Sequence, residues 1–208
     1  MQQKATSKLF LVLLFFTVGL HAQGTDGDKS QVHSIIKNFD RIAPEGKDSE
    51  AAKKLLEGFD TTELANLLIA EFDLDRGNPD LNNSRDVAVI TFYKELKLPV
   101  SILLTKLANT QSPYKKYQLM RCLPKTNDPA VIKALEAQLN DQRVAASIKQ
   151  KYIEMAGPTY AFRVCDIACA ILNKDLDRKS EEILWVTPID RRDQIIKQTV
   201  EDLKLGNR

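Results

Sequence analysis

This 208-residue chain has little of what most enzyme chemistry relies on. It holds two histidines, three cysteines, one tryptophan and eight glycines. His21 lies beside an apolar N-terminal run, which leaves His33 alone in the remainder. A His-based nucleophilic triad would have to use His33, in the first turn of the first expected helix and next to a flexible lead. That is a poor place for a preorganised base, so an exposed helix-surface histidine is expected. The glycines are scattered, without GxGxxG or GxxxxGK spacing, which excludes the usual phosphate and dinucleotide cradles. No CxxC or HxxxH spacing supports a zinc site from His33, Cys122, Cys165 and Cys169. No catalytic, cofactor-binding or metal-binding residue is assigned, and no cofactor is expected.

Long hydrophobic runs are equally scarce. The longest is Leu9 to Leu20 (LFLVLLFFTVGL). Lys4 and Lys8 precede it and Ala22 follows it, so residues 1–22 read as a secretory signal cut before Gln23. As a helix this run reaches about 18 Å, short of the roughly 30 Å of a bilayer core. No cysteine stands beside it to accept a lipid anchor. The expectation is a signal peptide at 1–22, a flexible lead at 23–29 and one helical domain at 30–208. The mature protein is expected to be secreted or periplasmic, without stable membrane insertion.

Excess charge is missing as well. The formal net charge is +2, and both Lys4 and Lys8 belong to the signal, so the rest is balanced. A neutral chain gives no electrostatic case for nucleic acid as partner. Lys115 and Lys116, flanked by Tyr114 and Tyr117, read as a solvated helix turn. With 43% hydrophobic residues the chain is not disordered. The cysteine count is odd, so complete intramolecular pairing is excluded. Cys165 and Cys169 lie four apart on one expected helix face, a poor geometry for a mutual bridge. Pairing of Cys122 with Cys165 or Cys169 stays open.

What the chain does have is helical periodicity. Val32, Ile35 and Ile36 form one stripe, and Leu55, Leu56 and Phe59 another. Leu64, Leu68 and Phe72 follow, then Val89, Phe92 and Tyr93, then Leu103, Leu104 and Leu107. Val131, Leu135 and Leu139 precede Ala145, Ile148 and Tyr152. Val164, Ile167, Ala168, Ile171 and Leu172 make the cleanest set, and Ile196, Val200 and Leu203 close the chain. Such i, i+3, i+4, i+7 spacing places apolar side chains on one helix face. No alternating stretch is long enough to read as a strand. Asp60 with Glu63 forms a capping-box pattern. Ser112-Pro113, Asp128-Pro129 and Thr187-Pro188 each put a capping side chain before a proline at the first helical position. The expectation is all-α, about ten helices.

Two irregular stretches interrupt the pattern. In residues 73–83 the carboxylates Asp73 and Asp75 resemble the opening of a calcium loop. Counting from Asp73, however, Gly77 and Ser84 stand where a fifth-position oxygen ligand and a twelfth-position acid are needed. An ordinary polar connector is expected, and Asn82-Asn83-Ser84 is a glycosylation sequon if the source is a eukaryote. In residues 177–186, Glu181 and Glu182 read as solvated surface, and Trp185 as a plug over the last apolar face.

Pro99, Pro129, Pro158 and Pro188 recur at a near-constant interval of about 30 residues, each at or near a helix start. DPAVIKALEAQLND (Asp128 to Asp141) resembles the first helix of a HEAT-like repeat. Val164 to Leu172 (VCDIACAIL) is similar to the second. Where that family carries an Arg after the Val, this chain has Cys165, and Arg163 precedes the Val instead. The resemblance spans roughly residues 99–204 and implies a short right-handed α-solenoid of helical hairpins. It further implies a protein-binding mode, and together with the signal the expectation is an exported, non-catalytic protein-binding or scaffold module with a protein partner. The alternative is an exported carboxylate-dependent hydrolase on a helical scaffold, to be recognised by two acids in one pocket.

Overall fold

A computed structural model describes residues 25–38, 54, 56–73, 84–148, 160–175, 183 and 187–205. The expected signal, Leu55, most of the 73–83 loop, Tyr152, Pro158, Glu181, Glu182 and Trp185 lie outside them. The chain is mostly helical. Its described elements are α1 (Thr25–Lys37), α2 (Thr61–Ala70), a 3-10 turn (Glu71–Asp73), α3 (Ser84–Glu95), α4 (Val100–Asn109), α5 (Pro113–Cys122) and α6 (Pro129–Glu136). Strands β1 (Val144–Ile148) and β2 (Tyr160–Arg163) follow, then α7 (Val164–Asp175) and α8 (Ile189–Lys204). Among the described residues these are eight α-helices.

Capping chemistry fixes several helix starts. The Asp60 carboxylate accepts from the backbone N–H groups of Thr62 and Glu63, both at 2.9 Å. Ser112 Oγ accepts from the Lys115 N–H at 3.2 Å, and Asp128 Oδ1 from the Ala130 N–H at 2.8 Å. These bonds satisfy N–H groups that a helix leaves without internal partners, and each is worth about 1 kcal/mol. The start of α8 differs from expectation. Pro188 is itself the cap residue, and no side chain caps the helix. The Thr187 carbonyl instead accepts from Arg192 Nε at 2.7 Å.

Residues 144–148 and 160–163 overturn the expectation that the chain has no strands. Val144–Ile148 pairs antiparallel with Tyr160–Arg163, so Ala145 and Ile148 belong to a ribbon and not to a helical stripe. Strands of five and four residues are too short to show a clear period of two. A bulge between Val144 and Ala146 interrupts the register. Ala145 at that bulge is buried. The ribbon also feeds α7. The Val164 N–H donates to the Arg143 carbonyl and the Cys165 N–H to the Asp141 carbonyl, both at 3.0 Å.

The helix contacts alternate. Helix α2 touches α4, and α4 touches α6. Helix α3 touches α5, and α5 touches α7. Across these two rows α2 pairs with α3, α4 with α5, and α6 with α7. Helix α1 lies against α2 and α3, and α8 against α7. One apolar cluster runs through the set, from Val32 and Ile35 through Leu68, Phe92, Leu103 and Leu119 to Leu135, Leu172 and Ile196. Helix α8 buries Arg192, Ile195, Ile196 and Thr199 and turns Asp190, Arg191, Asp193, Gln194, Lys197 and Gln198 to solvent.

Candidate functional site

The residues with reactive potential are mostly held in structural contacts. His33 is not a free surface histidine. Its Nδ1 lies 3.1 and 3.2 Å from the two carboxylate oxygens of Glu71, a buried acid in the 3-10 turn. The pair ties α1 to the turn after α2. None of the three cysteines is in a disulfide and all are buried, which answers the pairing left open in the sequence. Cys122 lies near Tyr93, and burial pushes its thiol up to about 12. Burial, reinforced by the neighbouring Asp166 carboxylate, pushes Cys165 up to about 11. Cys169 sits 3.3 Å from the Thr199 hydroxyl on α8. Cys122 and Cys165, protonated at neutral pH, are poor nucleophiles there.

The lysine pair of α5 is neutralised from inside the molecule. Lys115 Nζ donates to the Asp73 carboxylate at 2.5 Å, which also occupies the first acid of the calcium-like loop. Lys116 Nζ donates to Asp141 at 2.9 Å and to Gln138 at 2.8 Å. Asp141 also takes two bonds from Arg143, at 2.9 and 2.7 Å. The Arg143 guanidinium, with Lys116 second, holds the Asp141 carboxyl well below the usual carboxylate range. Arg143 reaches onward to the Gln111 carbonyl at 2.8 Å.

Two fully buried acids anchor the second row of helices. Asp86, the third residue of α3, accepts from the Tyr114 hydroxyl and, at 3.1 Å, from Gln118 Nε2. Asp166, the third residue of α7, accepts from Arg163 Nη2 at 2.7 Å and Arg192 Nη1 at 3.1 Å. Arg163 spans to Asp193 at 2.7 Å and to Gln142 at 2.5 Å. Arg192 also donates to the Ala161 carbonyl at 2.7 Å and covers the Phe162 ring at 5.0 Å. A polar group this deep is tolerable only with such partners. The Arg163 that precedes Val164, out of step with the HEAT-like pattern, therefore still meets an aspartate. These contacts line the edge where α3, α5 and α7 begin.

Two surfaces are less committed. The first is a cleft of about 240 Å³ between the segment before α2 and the α3–α4 turn, floored by Leu56, Leu64 and Leu98. Glu57, Glu95 and Lys97 stand on its walls. Lys97 has φ 51°, the left-handed conformation. Its N–H bonds the Lys94 carbonyl at 3.1 Å, and the Leu98 N–H bonds the Tyr93 carbonyl at 3.2 Å. This closing pattern normally uses glycine where Lys97 stands. The second surface is the outward stripe of α3, α5 and α7, on which Arg121 lies over the Tyr117 ring at 5.2 Å. Sequence reading missed Asp86, Asp166, Arg192, Glu71 and Arg121. One signal was available: α3 (SRDVAVITFYKE) and α7 (VCDIACAILNKD) match in Asp at the third position, Ala at the fifth and Lys at the eleventh.

Among the described residues no group of three or more His, Cys, Asp or Glu side chains is placed to hold a metal ion. No described helix is long and apolar enough to cross a membrane. No family model matches the chain, and neither a curated protein nor a solved structure matches it.

Proposed function

We propose that the chain is an exported, non-catalytic protein-binding module, built as a short right-handed solenoid of HEAT-like helix pairs. The observation that carries this reading is the alternating contact pattern, with α2, α4 and α6 in one row and α3, α5 and α7 in the other. Stacked pairs of this kind bury their apolar faces against neighbours and leave an extended outer surface for recognition. Pro99 and Pro129 support it, because they stand 30 residues apart at the starts of α4 and α6. Export rests on Lys4, Lys8 and the Leu9 to Leu20 run. The partner reading rests on architecture, since a fold alone does not specify an activity.

The test begins with N-terminal sequencing of the natural protein, which should start near Gln23. The tagged protein is then cross-linked in its extracytoplasmic fraction. The expected outcome is one protein, captured near stoichiometrically, that rebinds when both are pure. Nothing above background would remove the reading.

The cleft favours a second reading in one respect. Glu57 and Glu95 share its walls, as a carboxylate-dependent hydrolase requires. Both are exposed to solvent. Hydrolase activity lost on Glu57→Gln or Glu95→Gln, with unchanged stability, would establish that alternative.

A further inference from the structure

The helices of the second row run in parallel. Asp86 near the start of α3 is bonded from Tyr114 and Gln118 in the first half of α5. Lys116 near the start of α5 binds Asp141, whose carbonyl caps the start of α7. At about 100° per residue, Val87, Thr91 and Lys94 share the outward stripe of α3. Tyr117 and Arg121 share that of α5, and Ile171 and Lys174 that of α7. None of these seven is buried.

The charges on this face differ from those at the opposite edge. There Lys115, Lys116, Arg143, Arg163 and Arg192 all meet aspartates. Among the described residues Lys94, Arg121 and Lys174 have no carboxylate partner, and Glu95 beside Lys94 lines the cleft. Helix-terminal cations favour the macrodipole, which accounts for their position but not for the side-chain contacts of Arg121. Arg121 lies over Tyr117 and donates to Gln118 Oε1 at 3.3 Å, and Gln118 is itself tied to buried Asp86. Arginine and tyrosine are among the residues most enriched at the energetic centres of interfaces.

We propose that this face docks an extended acidic segment of the partner protein, with Arg121 as the central anchor and Lys94 and Lys174 on either side. This deepens the binding reading above and rests on it. Packed helices lie about 8–10 Å apart, so the three cations span roughly 20 Å. An extended chain advances about 3.3 Å per residue, so a carboxylate at every third position meets the next cation. Half-buried Tyr117 and Ile171 supply apolar contact beside them.

The probe is a labelled nonapeptide of three Glu-Val-Thr units, with a Gln-Val-Thr nonapeptide as control. Anisotropy titration of the full chain should show binding of the acidic peptide alone, weakened by added salt. Arg121→Ala should weaken it at least about tenfold, as should the exposed pair Lys94→Glu with Lys174→Glu. Lys106→Glu with Lys133→Glu, on the other row, should leave it unchanged. Absent binding, equal affinity for the glutamine control, equal loss from the other-row pair, or tighter binding of an oligothymidylate would each overturn the proposal. Photo-crosslinkers at Thr91 and Thr105 separate the two readings. Partner capture from Thr105 alone overturns this face and leaves the binding module standing, whereas capture from neither overturns both.

Discussion

Lys116 and Asp141 meet at 2.9 Å with side chains only 13% and 11% exposed, and they join α5 to the turn that starts the ribbon. Because Asp141 is also held by Arg143, one carboxylate joins two cations at once. Asp141→Ala leaves Lys116 largely buried without its charge partner and should cost about 1–3 kcal/mol, read as a lower urea midpoint. The pH dependence has a defined sign. The folded carboxyl titrates below its unfolded value, so its stabilisation is complete above about pH 4 and is lost as pH falls through the folded value. Wild type and Asp141→Ala should therefore converge in melting temperature as pH falls below about 4.

Lys97 predicts a gain. Its left-handed φ of 51° is strained for any residue with a β-carbon. Lys97→Gly should stabilise the protein by about 1 kcal/mol in equilibrium unfolding. A loss of stability would show that the lysine side chain contributes more than its backbone costs.

The α7–α8 contact predicts a non-additive pair. Asn173 Nδ2 donates to Thr199 Oγ1 at 3.1 Å, both residues being buried, with the Cys169 thiol alongside. Thr199→Val strands the Asn173 amide and should cost about 1–3 kcal/mol. Adding Asn173→Leu removes the stranded group, so the double variant should be more stable than Thr199→Val alone. A double-mutant cycle measures the difference.

The cysteines predict silence. Native protein should show no reaction with a thiol reagent at pH 8 on the timescale on which the denatured chain gives three equivalents. Rapid native labelling of any one would contradict the burial of all three.

The core predicts a large loss from a small change. Leu103 is fully buried where α4 packs into the apolar cluster. Leu103→Ala should cost about 2–5 kcal/mol in thermal or urea unfolding.

Much of this architecture was legible before any coordinates. The stripe from Val164 to Leu172 marks a helix because its apolar residues repeat at the helical period, and that run is α7. Ser112-Pro113 and Asp128-Pro129 mark the starts of α5 and α6 because their chemistry is local. The ribbon was not legible, since Tyr160–Arg163 acquires its strand character only from a partner more than ten residues away. The buried polar contacts were hidden for the same reason. Asp86 and Gln118 are 32 positions apart, and Arg192 reaches Asp166 across 26. Nothing in the spacing of single residues encodes such meetings. A comparison of the α3 and α7 segments would have exposed Asp86 and Asp166 as equivalent, since both follow two residues into a twelve-residue helix.

The outer side of α8 has a further consequence. Asp190, Arg191, Asp193, Lys197 and Gln198 face solvent there, while Ile195 and Ile196 face α7. A helix stack that ended at α7 would offer Leu172 and Cys169 to the first apolar surface it met, including that of another molecule. Helix α8 thus shields the apolar face of α7 and presents a charged surface in its place.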